Sequence, residues 1–74
     1  MNENEDIKEI DFGINKAGLV EAEMQQTASL IYVLELRLRG AEKGHNLPAA
    51  KQLREELARQ TAYRDILKQE MATI

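Results

Sequence analysis

The sequence predicts an all-α protein: an antiparallel two-helix hairpin that assembles into a homodimeric four-helix bundle. Three observations predict it. Val20, Met24, Thr27, Ile31, Leu34, Leu38 and Ala41 follow one another in alternating steps of four and three, the stripe of a helix packed along a neighbour. Gly44-His45-Asn46-Leu47-Pro48 is the one clear break, and it separates two stretches of nearly equal length, which should fold back on each other. Leu30, Tyr32, Val33 and Leu36 fall outside the stripe. Residues 30–38 are therefore apolar over most of the helix circumference, more than one hairpin partner covers.

The chain divides into residues 1–14, an acidic arm, and residues 15–74, the hairpin. Residues 1–9 are polar and acidic and carry too little apolar surface to offset the entropy of ordering. Ile10, Phe12 and Ile14 then alternate with Asp11 and Gly13, the period of an extended segment with one apolar edge. That edge either folds back over the helices or docks on the sheet edge or groove of a partner.

Asn15 is placed to cap the first helix, expected over about residues 17–43, although Gly18 weakens its first turn by roughly 1 kcal/mol relative to alanine. The helix ends at Gly44 as a left-handed cap, or earlier at Gly40. Residues 34–39 alternate strictly and also fit a strand. The helix is preferred because the stripe continues on both sides, the residues are strong helix formers, and Glu35 and Arg39 stand at pairing distance. After a loop at 44–47, Pro48 opens a second helix over about 48–73, where its missing amide hydrogen costs nothing. With the turn near Gly44, Leu38 falls beside Ala50, Leu34 beside Leu53, Ile31 beside Leu57, Thr27 beside Gln60 and Thr61, and Met24 beside Arg64. Gln60 and Arg64 interrupt the second stripe, and Tyr63, Ile66, Leu67 and Ile74 are expected to turn to a different face.

At 74 residues without cysteine, a single small core has no disulfide to reinforce it, which leaves oligomerisation as the common remedy. The candidate interface is Leu30, Ile31, Val33, Leu34, Leu38, Leu53, Leu57, Tyr63, Ile66 and Leu67, with Ile10, Phe12 and Ile14 as the partner-docking candidate. The formal net charge of -3 is uneven: Glu3, Glu5, Asp6, Glu9 and Asp11 against Lys8 leave -4 in residues 1–14 and +1 in the rest. Neither part is a nucleic-acid footprint. The acidic amino end does not look like a signal peptide, and no run approaches the ~20 apolar residues of a membrane span. A soluble, cytoplasmic protein is expected, without a membrane or nucleic-acid partner, and its size suggests a bacterial or bacteriophage source.

No catalytic, cofactor-binding or metal-binding residue is expected. His45 is the lone histidine, and a general acid or base needs a partner within hydrogen-bond reach. Glu55 and Glu56 are adjacent on a helix, point about 100° apart and do not converge as a hydrolase pair requires. They are read as solvated, with Glu55 between Lys51 and Arg59 at four-residue spacing. Lys51, Arg54, Arg59, Arg64 and Lys68 interleave with acids, as on a solvated mixed-charge face. Lys43-Gly44, Pro48 and Leu57 are spaced in a way that resembles the small two-helix aspartyl-phosphate phosphatases of sporulating bacteria. The second helix of that family carries Ser-Gln-Glu-Leu-Asp, whereas here the run is Arg54-Glu55-Glu56-Leu57-Ala58. Alanine stands at the acidic position, so the activity is not carried over.

The functional expectation is a small, non-enzymatic, protein-binding module acting through its helical faces, as an adaptor, accessory subunit or chaperone-like partner. The alternative is an inhibitor that lays its acidic arm in a basic groove of a target, an interaction that salt would weaken.

Overall fold

The computed structural model describes residues 14–74, so Ile10, Phe12 and the acidic arm before them lie outside the described residues. Two helices form it, α1 over Lys16–Lys43 and α2 over Leu47–Thr73, packed against each other as a hairpin. Among the described residues there is no strand. Residues 34–39 lie inside α1, and the helix continues through Gly40.

Each helix begins on an asparagine whose side-chain oxygen accepts an otherwise orphaned amide hydrogen. The Asn15 oxygen accepts from the Gly18 amide at 2.9 Å, and the Asn46 oxygen accepts from the Ala49 amide at 3.2 Å. Gly18 has a local use as well, because a Cβ there would come 2.9 Å from the Asn15 amide nitrogen. Alanine at position 18 would push the capping side chain aside. Pro48 sits in the first turn of α2, where no backbone donor is required.

The reversal between the helices corrects one expectation. Gly44 is not left-handed (φ -85°); the positive φ, 57°, falls on His45. The His45 amide donates to the Glu42 carbonyl at 3.0 Å, and the Asn46 amide donates to the Ala41 carbonyl at 2.8 Å. This pair of bonds is the Schellman arrangement, with His45 as its left-handed residue. Asn46 is already engaged as the cap of α2, and Gly44 closes the last helical turn by donating to the Gly40 carbonyl at 3.0 Å. The left-handed step is left to the residue between them. An L-residue in that conformation costs roughly 1–2 kcal/mol, and glycine gives back about half of it through its freer unfolded chain. His45→Gly should therefore stabilise the hairpin by on the order of 1 kcal/mol, visible as a Tm several degrees higher at fixed protein concentration.

The seam between the helices is a 3-4 stripe from each. Thr27, Ile31 and Leu34 of α1 are buried, while Val20, Met24, Leu38 and Ala41 of the same stripe are half-buried. On α2, Ala50 and Leu67 are buried, and Leu53, Leu57, Gln60, Arg64 and Met71 are half-buried. Leu67 thus stays on the seam and does not turn away with Tyr63 and Ile66. It stands seven residues after Gln60, so the repeat runs straight through the polar positions. Among the described residues the buried apolar core is Ile31, Leu34, Ala50 and Leu67, a small core for two helices of this length.

Candidate functional site

At 3.6 residues per turn, what the seam leaves outside can be sorted by face. Leu19, Leu30 and Val33 lie along one flank of α1, together with Glu23, Gln26 and Arg37. The Tyr63 hydroxyl donates to the Glu23 carboxylate at 2.9 Å, which places Tyr63 of α2 on the same side of the hairpin and ties the register of the two helices. Ile66 follows Tyr63 along that side. Leu36 points almost directly away from α2, and Tyr32 lies towards the back of the opposite flank. All of these apolar side chains are exposed, Leu19 at 57% and Ile66 at 56%, with Leu30 and Val33 at 38% and 37%. Exposed single leucines are ordinary, but here several large apolar side chains share one flank.

The candidate interface residues therefore divide into two sets. Ile31, Leu34, Leu38, Leu53, Leu57 and Leu67 are spent on the hairpin's own seam, whereas Leu30, Val33, Tyr63 and Ile66 face outward. Of the docking candidate, Ile14 is exposed beside the Asn15 cap, and its other two residues lie outside the described part.

Between the helices on the same side runs an open groove lined by Leu34 of α1 and by Ala49, Gln52, Leu53, Glu55, Glu56 and Arg59 of α2. Part of its polar wall is bonded within α2. The Glu56 carboxylate accepts from the Gln60 amide at 2.7 Å and from both Arg59 Nε and Nη2, at 3.0 and 2.6 Å. The Gln60 bond first and the Arg59 bond second hold the Glu56 carboxyl below its usual pKa. Tyr63 shifts the other way: its hydroxyl bond to the Glu23 carboxylate, followed by desolvation, raises the phenol above its ordinary value. A phenol donating to a carboxylate is held neutral, because losing its proton would set two negative charges against each other.

The ion pairs differ from those that sequence spacing suggested. Arg59 pairs with Glu56 three positions away, and Arg54 reaches Glu42 across the helix junction at 3.2 Å. Glu35–Arg39 and Lys51–Glu55 are not among the ion pairs of the described residues. Both observed pairs have exposed cations, and such pairs contribute little to stability. Arg64 departs further from the solvated-face reading. Its Nε is buried without a hydrogen-bond partner, on the seam where the stripe of α2 passes.

His45 sits exposed in the turn. Among the described residues no cluster of three or more His, Cys, Asp or Glu side chains is arranged to hold a metal ion, and no helix is long and apolar enough to cross a membrane. The described residues form a helical hairpin with Leu19, Leu30 and Val33 exposed along one flank of α1. Compared with models of known families, with curated proteins and with solved structures, the chain finds no match in any of the three.

Proposed function

We propose that this chain is a small, non-enzymatic, protein-binding module that works through its helical faces and self-associates through α1 into a homodimeric four-helix bundle. The observation that carries the reading is the distribution of large apolar side chains on α1. Ile31 and Leu34 are buried against α2 while Leu30 and Val33, interleaved with them, face outward. A helix with two apolar sides is built to be covered twice. The small core points the same way, since a chain of this size is marginal alone and a second hairpin extends the buried surface without a disulfide or a metal. A four-helix arrangement places each helix against two neighbours, and the outward flank of α1 lies roughly a right angle away from its seam with α2.

Multi-angle light scattering on the purified full chain checks this. The expected mass at micromolar concentration is twice that of one chain, with dissociation on dilution accompanied by loss of helical circular dichroism. A stable monomer with full helicity at the same concentration would remove the reading.

A further inference from the structure

The same flank of α1 contains a charge pattern that specifies how a second copy would lie on it. Its residues fall in two rows, each spaced by seven: Glu23, Leu30 and Arg37 in one, and Leu19, Gln26, Val33 and Gly40 in the other. Interleaved, they make a second seam of alternating three- and four-residue steps beside the one that α2 occupies. Leu30 and Val33 stand at its middle, both exposed. Glu23 lies seven residues before Leu30 and Arg37 seven residues after it.

We infer that α1 pairs antiparallel with α1 of a second copy of this chain about a two-fold axis at Leu30, setting Glu23 of each copy against Arg37 of the other. The inference rests on the self-association proposed above and adds its orientation and register. In this arrangement residue x faces residue 60 minus x. Leu30 meets its own counterpart, Gln26 meets the Val33–Leu34 turn, and Leu19 meets Gly40 and Ala41. A Cβ built at Gly40 has nothing within 4 Å, so the surface there has room for the Leu19 side chain. The charges decide between orientations. A parallel pairing on the same seam puts Glu23 against Glu23 and Arg37 against Arg37, two like-charge contacts, whereas the antiparallel one makes two complementary contacts. Both groups are available for it. The Glu23 carboxylate accepts one bond, through its Oε1 from Tyr63, and Arg37 is in neither ion pair of the described residues. On α2, the level of Leu30 is occupied by the internally bonded Glu56, Arg59 and Gln60. The apolar centre of the contact is therefore α1 on α1, with Tyr63 and Ile66 towards its ends.

The absence of cysteine from the sequence makes single-cysteine labelling of the full chain direct. Ser29→Cys lies beside the axis and Gly40→Cys far from it, ten residues beyond Leu30. Spin labels at position 29 should report a short distance between copies. Labels at position 40 should be separated by about 30 Å along the helices, from the 1.5 Å rise per residue. Short distances at both positions would mean a parallel dimer and overturn the inference while leaving self-association standing. Long distances at both, in a sample that light scattering shows to be dimeric, would place the contact on another face with the same consequence. A monomeric sample would overturn the inference and the proposed function together. A charge test is independent of labels. Arg37→Glu, which leaves the Tyr63–Glu23 bond in place, should weaken dimerisation about ten-fold or more, and adding Glu23→Arg to it should restore the affinity. An unchanged dissociation constant for Arg37→Glu would overturn the pairing.

Discussion

Leu34→Asp should abolish the fold, seen as loss of most helical circular dichroism at 25 °C and of any cooperative thermal transition. Leu34 is 4% exposed and sits on the seam between Ile31 and Leu38. Truncating a buried leucine already costs about 2–5 kcal/mol. A carboxylate at the same position adds the cost of desolvating a charge, or of shifting its pKa to remain neutral, which is several kcal/mol more. The total stability available to a chain of 74 residues is on the order of 4–11 kcal/mol, so the substitution consumes most or all of it. Leu36→Asp is the matched control. Leu36 is two residues away on the same helix but 43% exposed and turned from α2, so a charge there meets water, and helicity should survive. Equal tolerance of the two substitutions would mean that the seam does not run where the structure places it.

The contrast between positions 34 and 36 shows what the sequence made legible. Steps of three and four specify a helix face directly, because only one face recurs at that spacing. The seven stripe positions of α1 were readable for that reason, and all seven are buried or half-buried. The first cap was readable too: Asn15 stands just ahead of an apolar-periodic run, and its side chain has one dominant local use, to accept a free amide of the first turn. Asn46 was placed in the loop, although it caps α2 in the same way. Three other features were not readable. The left-handed residue of the turn was assigned to Gly44 on conformational grounds, yet His45 takes it, because the choice depends on which carbonyls of α1 the following amides reach. Leu67 was assigned to the outer face because Gln60 and Arg64 looked like an end to the stripe, although packing carries the seam through them. The ion pairs were guessed from spacing along one helix, and spacing cannot show that Arg54 reaches Glu42 on the other. Of the candidate site, the excess apolar girth of α1 was legible. Which of those side chains remain outside was not, since that requires knowing where α2 lies.

The polar positions of the seam lead to the second large effect, a gain of stability on Arg64→Met. Arg64 is half-buried on the α2 stripe, and its Nε is buried with no partner. A buried donor left unsatisfied costs about 1–3 kcal/mol, and holding a long arginine side chain against the seam adds up to about 2 kcal/mol of lost rotamer freedom. Methionine is similarly long and unbranched, fills irregular space and carries no donor. The sequence register sets Met24 opposite, and Leu67 follows one turn on. The expected gain is roughly 1–2 kcal/mol. For a domain of this size that raises Tm by about 4–8 °C for each kcal/mol, read at fixed protein concentration because the chain is proposed to self-associate. A polar residue at a seam position commonly fixes register at a cost in stability, so the gain should come with a looser fit. Spin labels at Leu38 and Ala50, in magnetically dilute samples, should show a broader distance distribution in Arg64→Met than in the parent chain. A lower Tm would mean that the guanidinium head contributes more at the edge of the seam than its buried Nε costs. A higher Tm with an unchanged distance distribution would mean that Arg64 weakens the seam without specifying its register, leaving Thr27 and Gln60 as the seam residues that could hold it.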